Sequence, residues 1–144
     1  MTPDVNVLVS AARLEHPHHK TALRWLENAA NVTSDRHRLA LMPAVIAGFL
    51  RITTHRKIFP TPTPIEVALG FIDDILNSAS VTVLTSGREW TQLRALCLQK
   101  SLIANSIPDA WIASQVLEHR EVLATFDRDF MQLLPASSLL LLKP

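Results

Sequence analysis

Cysteine occurs once, at Cys97, so the chain can build neither an internal disulfide nor a thiolate zinc cage, and a reducing compartment is the expected setting. Glycine is almost as scarce. Gly48, Gly70 and Gly87 stand too far apart for a phosphate-cradling loop or a G-x-G-x-x-G turn, which excludes P-loop and dinucleotide-binding designs. An excess of either charge is also missing. Fourteen Lys and Arg face thirteen Asp and Glu, a net charge of +1, so no global basic field attracts nucleic acid and any such site has to be local. The greasiest run, Leu139 to Leu142, is far too short to cross a bilayer, and no basic-then-apolar leader opens the chain. A cytoplasmic protein with no membrane partner is expected.

What is present is a compact composition. The 144 residues are 48% hydrophobic and 19% charged, which fits one folded domain over 1–144 and argues against disorder. Helical periodicity marks His18 to Ala30, Ala44 to Thr53, Ile65 to Leu76, Arg88 to Lys100 and Ile107 to His119, with a short helix from Arg128. Short apolar runs at 38–42, 81–84, 121–125 and 138–142 read as strands. Strands separated by ten or more helical residues cannot pair through tight turns, so the class is α/β with a mainly parallel sheet flanked by helices. Pro60, Pro62 and Pro64 deny their stretch both helix and ladder hydrogen bonds, predicting an exposed connection with Pro64 opening the next helix. The start is ambiguous, because Val5, Val7 and Val9 alternate like a strand while Val5, Leu8, Val9 and Ala12 share a helical face.

In an α/β sheet, chemistry collects at the carboxyl ends of strands and the helix starts that follow. Asp4, Asp109 and Asp127 fall at such places. Gathered at one edge they would repel one another unless a cation stood between them, and hard oxygen ligands suit Mg2+ or Mn2+. Each also has a structural use: Asp109 could complete a capping box with Ser106, Asp127 could cap the short helix after it, and Asp4 could make an Asx turn in solvent.

Four segments in order, Asp4-Val5-Asn6-Val7-Leu8, Phe49-Leu50-Arg51-Ile52-Thr53-Thr54, Ile107-Pro108-Asp109-Ala110-Trp111-Ile112-Ala113 and Thr125-Phe126-Asp127-Arg128-Asp129-Phe130, resemble the PIN-domain ribonucleases of the VapC toxin type over essentially the whole chain. The resemblance implies a short first strand ending near Asp4, with Val5 to Ala12 as the helix after it. It implies a divalent-cation-dependent endoribonuclease toxin, a homodimer neutralised by a VapB-type antitoxin. Asp4 and Asp109 then match the main metal ligands, Asp127 the acid that completes the catalytic site directly or through water, and Asn6 and Thr125 the polar groups that orient them. Asp129 fits an assisting position or a helix first turn. One departure stands out: a glutamate usual in the family is replaced by Gly48, so a second cation should bind weakly and something should compensate for glycine inside a helix. A catalytically weakened PIN domain that binds RNA or antitoxin is the nearest alternative. An aspartyl phosphotransferase is disfavoured because Asn6 stands where a second Asp would be needed.

Phosphate contacts are expected from Arg51, one helical turn after Gly48, with Arg13, Arg56 and Lys57 as companions. His16, His18 and His19 lack a fixed ligand spacing and read as surface or capping residues, not a zinc site. Trp25, Trp90 and Trp111 read as core. Ile65, Leu69, Phe71, Ile72, Ile75 and Leu76 cover more than one helix face, which fits a dimer or antitoxin contact.

Overall fold

A computed structural model describes residues 1–32 and 38–143. The chain opens with strand β1 (Thr2–Pro3) and helix α1 (Val5–Ala12), which resolves the ambiguous start in favour of a helix. Then come α2 (His19–Ala30), β2 (Ala40–Leu41), α3 (Pro43–Thr53), α4 (Ile65–Leu76), β3 (Thr82–Val83), α5 (Trp90–Lys100), α6 (Ser106–His119), β4 (Leu123–Thr125) and β5 (Leu139–Leu141), with short 3-10 turns at Arg128–Gln132 and Ala136–Ser138.

Every strand pairing among the described residues is parallel. β4 lies between β1 and β5, with Thr2 opposite Leu123 and Leu123 opposite Leu139, while β2 pairs with β3. The Ala40 N–H donates to the Met1 carbonyl at 2.9 Å and ties the two sets together. Strands of two or three residues supply few ladder bonds, so helix packing carries the fold. The core joins Val7 and Leu8 of α1, Val45 and Phe49 of α3, Ala113 and Val116 of α6 and Leu123 of β4, all buried. Phe49 also meets Phe71 of α4 at 5.3 Å between ring centres.

The proline stretch is the expected connection between α3 and α4, and Arg13 holds it. Its guanidinium donates to the Thr63 hydroxyl at 2.8 Å and the Thr61 carbonyl at 3.0 Å, lies over the Phe59 ring at 4.3 Å and pairs with Glu15. With glycine scarce, two helices end on other residues in the left-handed region: Ser101 (φ 51°) after α5 and Arg120 (φ 55°) after α6. Among the described residues no helix is long and apolar enough to cross a membrane.

Candidate active site

Asp4 stands at the carboxyl end of β1, held there by its own N–H donating to the Ala124 carbonyl of β4 at 2.9 Å. It is also the cap of α1, its Oδ1 accepting from the Val5 N–H at 2.6 Å. The Oδ2 accepts from Asn6 Nδ2 at 2.6 Å and from the Thr125 hydroxyl at 2.7 Å. A carboxylate offers about four lone-pair sites. Three are used, so Asp4 is presented with one site on Oδ1 for a further ligand.

Around Asp4 the polar groups are fully engaged. Thr125 Oγ1 donates to Asp4 while accepting from Asn6 Nδ2 at 2.9 Å and the Asp127 N–H at 3.0 Å, and Asn6 Oδ1 accepts from the Phe126 N–H at 3.3 Å. The residues expected to orient the acids do so by linking two chain segments 121 positions apart. The Asn6 side chain therefore fixes both the carboxylate and the backbone turn that delivers Asp127. Asp127 does cap the following 3-10 turn, accepting from the Asp129 N–H at 2.8 Å, and Asp129 itself is exposed.

Asp109 lies in the first turn of α6. The expected capping box is not formed. Ser106 Oγ instead donates to the Ile103 carbonyl at 2.6 Å and accepts the Ile103 N–H at 3.1 Å, closing a tight local turn that leaves Asp109 without a hydrogen bond among the described residues. Asp4, Asp109 and Asp127 line one cleft of about 1170 Å³, together with Asn6, Gly48 and Arg51. None of the three acids has an ion-pair partner among the described residues. Burial pushes the Asp4 carboxyl up to about 6, against the lowering effect of its Thr125 and Val5 hydrogen bonds, and the charges of Asp109 and Asp127 add to the rise. Asp109 is raised as well, by burial first and then by Asp127 and Asp129.

Three carboxylates sharing a cleft, none of them in an ion pair among the described residues, form a donor set suited to a hard cation. Among the described residues no group of three or more His, Cys, Asp or Glu side chains is arranged to hold a metal ion by itself. Mg2+ does not ask for one, since it keeps several waters and takes one or two carboxylates plus substrate phosphates. The residues present fit such an ion.

Gly48 also lines the cleft, and its neighbour explains its size. A Cβ built there would stand 2.7 Å from Val5 Cγ2, so α3 and α1 approach too closely for any larger residue without movement. The expected compensation is thus a helix contact, with Val5 occupying the space beside the position where a glutamate would branch.

Three expectations change. Arg13 is committed to the proline loop and Glu15, so it is not a free phosphate contact. Arg56 and Lys57 are exposed on the α3–α4 connection, outside the residues that line the cleft. Trp90 and Trp111 are 66% and 42% exposed, not core: Trp90 is the first residue of α5, and Trp111, in the second turn of α6, faces the cleft. Trp111 lines the cleft, as do His16, His18 and Phe126, which residue patterns alone did not bring to the site. The signal available was position: Phe126 directly precedes Asp127 at the end of β4, and Trp111 follows Asp109 in the same helical turn.

Comparison with known proteins agrees with this geometry. The PIN domain model matches residues 1–133. Ribonuclease VapC25 of Mycobacterium tuberculosis is 33% identical over 128 residues, spanning 88% of this chain and 88% of that protein. Ribonuclease VapC43 of the same species is 35% identical over 128 residues, spanning 88% and 85%. The fold matches VapBC2 from Rickettsia felis, solved bound to a DNA fragment from its promoter, with a TM-score of 0.66 at 20% identity over 99% of this chain and 98% of that one. It also matches FitAcB from Neisseria gonorrhoeae, with a TM-score of 0.55 at 15% identity over 92% and 91%. By family model, by sequence relatives and by fold, the chain belongs to the PIN-domain family, among the VapC proteins.

Proposed function

We propose that this protein is a Mg2+- or Mn2+-dependent endoribonuclease toxin that a VapB-type antitoxin holds in check. One observation carries the reading: Asp4 is buried, raised to about 6 and faced by two more carboxylates with no positive partner, a charge imbalance that a divalent cation removes. The ribonuclease names of its relatives supply the substrate class.

Bound by Asp4 and Asp109, with Asp127 acting through water, such an ion would acidify an attacking water and offset charge on the phosphoryl oxygens. The chain's own work is positioning. Thr125 and Asn6 hold the Asp4 carboxylate in one orientation, so the open lone pair on Oδ1 points where the α1 start directs it. Arg51, exposed at the last turn of α3 on the cleft wall, is placed to grip a backbone phosphate. A weakened enzyme remains the second reading, because Val5 beside Gly48 closes off the space for a fourth carboxylate.

Homodimerisation belongs to the same proposal. Ile65, Val67 and Leu69 of α4 are exposed while Ala68, Ile72 and Ile75 of the same helix are buried, so the helix presents apolar surface outward as well as inward. Cleavage of single-stranded RNA by the purified protein tests the activity. Cutting is expected with Mn2+ and not with chelator, and it should vanish in Asp4→Asn. Equal cutting under chelation would sink the metal-dependent reading.

A further inference from the structure

Ile58 and Phe59, in the connection between α3 and α4, line the same cleft as the acids. Three prolines keep that connection out of any helix or ladder, so its place beside the cleft has to be set by other bonds. The Ile58 and Phe59 N–H groups both donate to the His55 carbonyl, at 3.0 and 3.1 Å, which shapes the turn but does not fasten it to the body of the fold. The Thr63 N–H, donating to the Thr53 carbonyl at 2.9 Å, anchors the far end.

Arg13 fastens the middle. Its nitrogens work in three directions: Nε donates to Glu15 at 2.7 Å, Nη1 to the Thr63 hydroxyl and Nη2 to the Thr61 carbonyl, while the guanidinium carbon lies over the Phe59 ring. The side chain is 13% exposed and its charge is met by Glu15, so it faces the loop and not solvent. Only a planar fork makes all these contacts at once, since lysine is a point charge on a flexible stem. Arg13 also closes α1, its N–H donating to the Val9 carbonyl at 3.2 Å, and Asp4 opens the same helix. Nine helical steps put the two about 14 Å apart along the axis, and Asn6, Val9 and Ser10 line the cleft between them. One rigid element therefore carries the carboxylate centre at one end and the clasp on the proline loop at the other.

We propose that Arg13 is a positioning residue for the substrate: by clasping the proline loop it fixes Ile58 and Phe59 as a preformed wall of the cleft, and so sets RNA affinity without touching a phosphate or the reacting atoms. Ile58 is 47% exposed, an apolar side chain held at the cleft where a bound strand would cover it. With the clasp in place the wall is ordered before RNA arrives; without it, binding has to order the loop as well and weakens by that cost. Chemistry at Asp4 should be spared, because the Thr125–Asn6 network lies at the other end of α1. The inference rests on the ribonuclease reading for the nature of the ligand, and it adds to that reading which part of the cleft governs affinity.

The test uses the whole protein and two readouts, one of which needs no RNA. Arg56 and Lys57 are exposed on the same connection, so trypsin reports how firmly it is held. Arg13→Ala should be nicked there about ten-fold faster than wild type, and Arg13→Lys nearly as fast, because the charge without the fork does not restore the clasp. In cleavage of a short RNA with Mn2+, Arg13→Ala should raise KM about ten-fold while kcat stays within about two-fold of wild type. Thr63→Val, which removes one acceptor and leaves the arginine, should raise KM about three-fold, and that effect should largely vanish in an Arg13→Ala background. The slope of affinity against salt should keep its wild-type value throughout, since no phosphate contact is lost. Wild-type KM and nicking in Arg13→Ala would overturn the clasp, and so would full rescue by lysine or a shallower salt slope, which would make Arg13 a direct phosphate contact. Should Arg13→Ala fail to fold, Thr63→Val decides, and wild-type KM and nicking in it would overturn the proposal. Fast nicking of Arg13→Ala in a chain whose wild type neither binds nor cuts RNA would show that the ribonuclease reading has failed while the clasp is real, and the role assigned to the wall would fall with that reading.

Discussion

At the scale of single residues, the Asp4 carboxyl links stability to function. Its value rises from 3.8 to about 6 on folding, so the folded state holds the proton more tightly than the unfolded chain does. The sign follows: the stabilising contribution is complete below about pH 3.8 and is lost as pH rises through about 6, amounting to about 3 kcal/mol for a shift near two units. Without divalent ions, the stability of wild-type protein relative to Asp4→Asn should therefore fall between about pH 4 and about pH 7.5, which urea unfolding at both pH values measures. A pH-independent difference between the two proteins would contradict the buried, uncompensated carboxylate. Arg51 makes a separate prediction. If it grips a phosphate, Arg51→Ala should weaken RNA binding similarly across sequences and reduce the salt slope by about one contact. An unchanged slope would remove Arg51 from the interface.

Elements explain which of these residues could be foreseen. Helices α2, α3 and α4 follow from apolar periodicity, and the structure adds Pro43 as the first residue of α3. Strand lengths do not follow, because β1, β2 and β3 have two residues each and a pair of residues has no period to recognise. The exposed tryptophans were illegible for a related reason: helical spacing gives a face but not whether another element covers it. Gly48 shows what only packing reveals. In a helix interior Gly→Ala ordinarily gains about 1 kcal/mol. Here the added methyl would meet Val5 Cγ2 at 2.7 Å, and the overlap should win, so Gly48→Ala is expected to cost about 1–3 kcal/mol. Val5→Ala in the same chain should recover much of that loss, and a thermal-unfolding double-mutant cycle would show the coupling. Strictly additive effects would mean that α1 and α3 yield freely at this contact.

For the whole molecule, the convergence of the acids is the feature that residue spacing alone could not show. Asp4 and Thr125 are 121 positions apart, yet they meet because β1 and β4 are neighbours in the sheet. Resemblance to the PIN family named the same acids; the fold supplies the reason they meet, and it also diverts Arg13 to the proline loop through contacts 48 and 50 positions away. The near-neutral charge is consistent with this arrangement, since a cleft rich in carboxylates offsets cations elsewhere on the surface. The outward apolar face of α4 carries the prediction for assembly: light scattering should report a dimer, and Leu69→Lys should shift it toward monomer. A wild-type monomer at micromolar concentration would leave that face for another partner.

The carboxylate centre itself is tested most directly at Asp109. Asp4→Asn disturbs the α1 cap and the Thr125–Asn6 network, so lost activity there could follow from lost structure, whereas Asp109 makes no hydrogen bond among the described residues. Mn2+-dependent cleavage of single-stranded RNA by Asp109→Asn, beside wild type and with unfolding midpoints matched, is the decisive measurement. A metal-dependent carboxylate centre predicts that cleavage drops to the level seen with chelator while the fold persists. Wild-type cleavage by Asp109→Asn would contradict it.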